Sequence, residues 1–399
     1  MDLLERFLKY VSYPTTSSEE ADTTNKASSE GQYVLAKELA KELKELGGED
    51  IYINKFGTVH AYFKGDLEKQ PIFLNSHMDT SPACSGENIK PRIINKYDGK
   101  DIVLNKDTIM KVSDFPSLKR SEGHQLVVTD GNTLLGADDK AGIAIIMDVV
   151  NYFVTSKEKH GPIEVIFSTD EEIGLGASHI STDKIRSKFG FTVDGGDIKY
   201  VNIENFNASS MKVEVTGRSV HPGSAKDKML NASNIGIEFH NALPLFARPE
   251  DTENREGFYH LCNINGNEEK AELSYIIREH DINRLAFLED YAKLAARRIN
   301  DKYKQEVIKL EIKPQYKNMY YEVEKHPEVI DLIKKIYKNH NLSFEFEACR
   351  GGTDGATLTY KGFVCPNLGT GGYNYHGRFE YLDVDQARQM SLMIRDLFK

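Results

Sequence analysis

Three apolar, strand-like runs in this chain each lead into side chains that carry chemistry. Phe73-Leu74-Asn75 precedes His77-Met78-Asp79, Val165-Ile166-Phe167 precedes Asp170-Glu171-Glu172, and Phe191-Thr192-Val193 precedes Asp194-Gly195-Gly196. Strands of this kind, alternating with helices, predict an α/β sheet that is largely parallel and covered on both faces. Such sheets build their sites just past the strand ends. Neighbouring carboxylates there repel one another unless positive charge sits among them. A divalent metal centre supplies that charge, and a metal-dependent hydrolase is the class these strand ends imply.

At 399 residues the chain is too long for one small core, so two domains are expected. Leu3, Leu4, Phe7, Leu8 and Val11 recur at helical spacing, and residues 30–46 give a second amphipathic helix stopped by Gly47-Gly48. Residues 84–125 carry little periodic signal and read as a polar excursion. From Ala141 to about Val154 an apolar helix is expected, with Asp138 or Asp139 as its cap. After Phe206 the pattern changes to period two, as in Met211-Lys212-Val213-Glu214-Val215, which suits a sheet with one exposed face. The order that follows is βαββαβ, closing near Ile312. The expected organisation is therefore a catalytic domain of residues 1–206 and 313–399, interrupted by a smaller α+β lid domain of residues 207–312.

Composition excludes several classes. A net charge of −10, with both signs interspersed, argues against a nucleic-acid-binding face. No apolar run approaches the ~20 residues of a membrane span. The acidic start Met1-Asp2-Leu3-Leu4-Glu5 is not a secretory signal. Four scattered cysteines without Cys-x-x-Cys spacing fit reduced thiols, and the expected location is the cytoplasm. Phosphate-loop and Ser or Cys nucleophile motifs are absent.

His77 and Asp79 lie two apart on a strand, so both project to one side. One division of labour makes His77 a ligand and Asp79 its orienter. Asp138, at the turn before the apolar helix, can offer two oxygens to two cations, and capping the helix is an equally good role for the Asp138-Asp139 pair. Of Glu171 and Glu172, one can bind metal while the other faces the attacking water, which is the division hydrolysis requires. Asp194 adds a carboxylate, and His376 lies in the small-residue loop 371–377. Each piece alone has a commonplace structural explanation. Together they form a nitrogen and oxygen donor set that suits zinc, with cobalt or manganese as substitutes.

In their order, His77-x-Asp79, Gly136-Ala137-Asp138-Asp139-Lys140, Asp170-Glu171-Glu172 and Asp194-Gly195-Gly196 resemble the motifs of the dinuclear-zinc M20 metallopeptidases. Further motifs resemble the tripeptide aminopeptidases of that family: His221-Pro222-Gly223, Gly257-Phe258-Tyr259-His260-Leu261, Tyr275-Ile276-Ile277-Arg278 and Arg350-Gly351-Gly352-Thr353-Asp354-Gly355. The resemblance implies two zinc ions per chain. His77, Asp138 and Asp194 would hold one, and Asp138, Glu172 and His376 the other. It also implies Asp79 as orienter, Glu171 as general base and acid acting on a hydroxide between the ions, and a cis peptide at Asp138–Asp139. His221 would stabilise the oxyanion, and Arg278 and Arg350 would clamp the carboxylate of a tripeptide. A homodimer through the lid is a further expectation. A dipeptidase or N-acyl amino-acid deacylase with the same metal site is the alternative, and a noncatalytic metal- or peptide-binding protein is the more distant one.

Overall fold

The computed structural model describes residues 1–399, which fold into two compact units. Met1–Ile203, Met319–Glu347 and Thr353–Lys399 make the first, and Glu204–Asn318 with Ala348–Gly352 the second. The expected lid start at 207 coincides with the first residue of the strand Asn207–Thr216, whereas the expected end at 312 falls within Ile308–Tyr316. Apolar alternation fades at Ile312, but antiparallel pairing with Asn207–Thr216 continues to Tyr316. Residues 348–352 belong to the second unit although they are distant from it in sequence. Composition gives no sign of that.

The first unit is built on an eight-stranded mixed sheet, ordered Glu49–Ile53, Val59–Phe63, Ile163–Ser168, Ile72–His77, Gly190–Val193, Asn367–Leu368, Tyr200–Asn205, Glu345–Cys349. Parallel pairs lie in the centre, where Ile72–His77 runs between Ile163–Ser168 and Gly190–Val193, and the last of these also pairs with Asn367–Leu368. Val59–Phe63 and Tyr200–Asn205 are antiparallel to their neighbours in the centre. The sheet is therefore mixed, with its parallel part where the chemistry lies. Three parallel strands point their carboxyl ends at one edge, so His77, the Glu171-Glu172 turn and Asp194 arrive together.

The helix Ala137–Ser156 packs on this sheet and between the helices Leu3–Val11 and Val384–Arg395. Ala141, Ile143, Ala144, Ile145, Ile146 and Met147 are all inaccessible to solvent, so its first half is buried on every face, while Asp148, Asn151 and Tyr152 reach the surface further on. The stretch 84–125 is not formless. It contributes short strands at Arg92–Ile94, Ile102–Asn105 and Thr108–Met110, and the first joins a second sheet with Leu126–Val128 and Tyr381–Asp383. Strands of three or four residues are too short for period-two alternation to register.

In the second unit four antiparallel strands, Phe258–Gly266, Lys270–Glu279, Asn207–Thr216 and Ile308–Tyr316, carry the helices Ala232–Ala242 and Ile282–Tyr303 on one face. Val213, Val215, Leu273 and Ile277 meet Phe239 and Ala292 in its core. No helix in either unit is long and apolar enough to cross a membrane.

Candidate active site

His77 ends its strand with only 2% of its side chain exposed. Its Nε2 lies 2.8 Å from Asp138 Oδ1. On the other side of Asp138, Oδ2 lies 3.1 Å from His376 Nε2, which is also 2.9 Å from Glu172 Oε2. Two trios of donor atoms converge, each within 4.8 Å: His77, Asp138 and Asp194, and Asp138, Glu172 and His376. Asp138 belongs to both. A third trio, His124, Asp383 and Asp385, is differently engaged: Asp383 caps the last helix and bonds His124, and Asp385 accepts from Gln125 N.

The two aspartates at the turn divide their work. Asp138 and Asp139 depart from helical geometry, and the peptide between them is cis. Asp139 turns inward, accepting from Ser76 Oγ at 2.5 Å and from Gly142 N at 3.2 Å. It is the cap, which leaves Asp138 facing the imidazoles. Asp79 has a wider role than orienting His77. The His77 Nδ1 sits 3.1 Å from the Asp79 carbonyl and 3.4 Å from Asp79 Oδ1. The Asp79 carboxylate also accepts from Glu171 N at 3.0 Å and Glu172 N at 3.1 Å. One side chain thus ties the first strand end to the turn after the second.

Electrostatics test whether a cation fits. Burial, followed by the Asp138 charge, raises the Asp194 carboxyl to about 7. Burial drives Glu171 well above the usual carboxylate range, with Asp194 and Asp354 adding to the shift, and burial with Asp138 raises Glu172. Burial opposes charge on His77, but Asp138 and Asp79 outweigh it and raise its pKa. Hydrogen bonds to Asp138 and Glu172 lift His376 to about 10. Glu172 Oε1 is buried with no hydrogen-bond partner. Crowded acids, imidazoles held by carboxylates and an orphaned carboxylate oxygen are what a nitrogen and oxygen site for divalent ions presents. The residues fit.

Three residues missed in the sequence surround this cluster. Asp354, in the Arg350–Gly355 motif, accepts from Ser168 Oγ at 2.5 Å. Lys140 is fully buried with no acceptor at Nζ, and burial pushes it down to about 8. Glu380 is 1% exposed. The available signal for Lys140 and Asp354 was their place within motifs already singled out, 136–140 and 350–355; Glu380, among Arg378 and Asp383, offered none. His221, Arg278 and Arg350 are in the second unit and not among these donor trios. His221 is exposed, and its ring accepts from Gly223 N. Arg278 donates from Nη1 to the carbonyls of Ser209 and Ile277. Arg350 donates from both terminal nitrogens to Thr252, Asn254 and Glu256 and lies over the Phe206 and Phe258 rings.

Residues 121–399 match the Peptidase family M20/M25/M40. The peptidase T of Caldanaerobacter subterraneus subsp. tengcongensis is 43% identical over 404 residues, covering 99% of this chain and 98% of that one. The chain belongs to the peptidase T group of family M20. Among solved structures, a tripeptidase from Staphylococcus aureus has a TM-score of 0.79 at 20% identity, covering 100% and 97% of the two chains. A dinuclear metal binding peptidase of the M20 family from Bacillus subtilis has a TM-score of 0.62 at 13% identity, covering 99% and 96%. At those identities the likeness is one of fold, and it extends over this M20 chain from end to end.

Proposed function

We propose that this M20 protein is a metal-dependent aminopeptidase that releases the N-terminal residue of tripeptides. The observation that carries the reading is the pair of donor trios sharing Asp138, with the Glu171 carboxyl on the adjoining turn. His77, Asp138 and Asp194 would hold one ion, and Asp138, Glu172 and His376 the other. Zinc is the proposed metal, with cobalt or manganese as substitutes. When bound, such ions make water a stronger acid and polarise a carbonyl oxygen.

The chain's own residues do the rest. Glu171, whose amide is held by Asp79 beside the donor trios, is placed to take a proton from the attacking water and return it to the departing amine. Asp79 holds the backbone amides of both glutamates, so the base and the neighbouring ligand keep a fixed relation. His221 is assigned to the oxyanion. Of the two arginines, Arg278 is the better candidate for the substrate carboxylate, because its hydrogen bonds engage Nη1 alone, whereas both terminal nitrogens of Arg350 are taken up by Thr252, Asn254 and Glu256. Four free thiols suit the reducing cytoplasm, and pairing of two copies through the second unit completes the proposal.

The test is metal removal. Exhaustive chelation should abolish tripeptide turnover, and zinc, cobalt or manganese should restore it at two ions per chain. Full activity in metal-free protein would contradict the mechanism.

A further inference from the structure

Glu380 is a buried carboxylate beside the metal ligands that does not face them. Its Oε2 accepts from Leu135 N at 2.6 Å and Gly136 N at 2.8 Å, and its Oε1 from Asp138 N at 3.0 Å. Three backbone N–H groups of one turn thus converge on one side chain. This nest forms because Gly136 takes a positive φ of 78°. Without the carboxylate those buried donors would lack an acceptor, a costly state for a main chain. Glu380 also stands four residues after His376 in the same loop. Its own place is fixed from the far side, since Tyr381–Asp383 pairs with Leu126–Val128 and Thr129 Oγ1 donates to Arg378 O.

We propose that Glu380 is the positioning residue of the dinuclear centre. It binds the turn that carries Asp138 to the loop that carries His376, and so sets the spacing of two ligands 238 residues apart in sequence before any ion arrives. The proposal rests on the metal-centre reading above. It assigns Glu380 no contact with substrate. Every acceptor direction it uses points at backbone. An amide at 380 keeps the shape but loses one acceptor and turns an NH2 toward a backbone N–H. An aspartate keeps the charge but retracts it by one methylene.

The experiment measures metal affinity of the folded full-length chain by chelator competition with cobalt, alongside the cobalt absorption spectrum and the melting temperature of the metal-free protein. Wild type should bind two ions, which tests the metal-centre reading separately. Glu380→Gln should bind them about ten- to a hundredfold more weakly, the usual cost of losing a residue that holds a ligand in place. The ion at Asp138, Glu172 and His376 should suffer most, with an altered spectrum, and Glu380→Asp should fall between. A merely structural role would lower the metal-free melting temperature and leave the affinities of the folded fraction unchanged, and that result overturns the proposal. A second readout needs no variant: hydrogen exchange in metal-free wild type. The amides of Leu135, Gly136 and Asp138 should be protected there, and fast exchange at all three would equally overturn the proposal.

Discussion

Glu171 and Glu172 share a turn and the same capping carboxylate, yet their side chains have different surroundings. Glu172 reaches His376 at 2.9 Å, whereas the pKa of Glu171 is set first by burial and then by neighbouring charges. Glu171→Gln should therefore retain both metals and lose about 10²–10⁴-fold in kcat, the usual contribution of a positioned proton acceptor. Glu172→Gln should lose one metal. Equal loss of metal from both variants, measured per chain, would reverse the two assignments. Arg278 makes a parallel prediction. A hydrogen bond to a charged group contributes roughly 1.5–3 kcal/mol, so amidating a good tripeptide should lower kcat/KM by about ten- to a hundredfold. Arg278→Ala should erase most of that difference, and if Arg350→Ala does so instead, the clamp is Arg350.

At the scale of elements, what the sequence made legible was local. The helix at 30–46 and the βαββαβ order of the second unit could be read because their periodicity is long enough to count. His77, Glu171, Glu172 and Asp194 could be read as candidates because they stand at or just past the ends of apolar strands, whereas Asp138 sits at a turn before a helix and His376 in a small-residue loop. The short strands of 92–110 and the tie of Glu380 to the Asp138 turn could not. The first have too few residues to show a period, and the second depends on a partner about 240 positions away. One element also carries a pH dependence. On the helix Ala232–Ala242, His240 Nε2 accepts from Arg248 at 3.0 Å, and Nδ1 lies 3.1 Å from Tyr275 OH. Burial and then the Arg248 charge lower its pKa below 6.5, against a weaker pull from Glu250. The unfolded chain takes up that proton first as pH falls, so the stability from neutral His240 is present above about pH 6.5 and is lost below it. Other buried acids and imidazoles titrate in the same range, so the contribution is read as a difference: between pH 7 and pH 5 the denaturant midpoint of wild type should fall relative to that of His240→Gln. An unchanged difference would remove His240 from the explanation.

At the scale of the whole molecule, the second unit's sheet has two unlike edges. Ile308–Tyr316 is guarded by Lys309, Glu311, Lys313 and Pro314, the usual protection against strand pairing. Phe258–Gly266 has no charged residue, and Ile264 is 49% exposed on it. That edge is where the proposed homodimer should form. Light scattering should give twice the chain mass of 45.1 kDa, and Ile264→Lys should shift the population toward one chain. A single-chain mass at tens of micromolar would rule the dimer out. The activity is tested most directly by the free amino acid released from matched di-, tri- and tetrapeptides, assayed before chelation, after it, and after metal is restored. Metal-dependent release of the N-terminal residue, with the tripeptide strongly preferred, is the predicted result. Equal rates on all three lengths, or release that persists without metal, would contradict it.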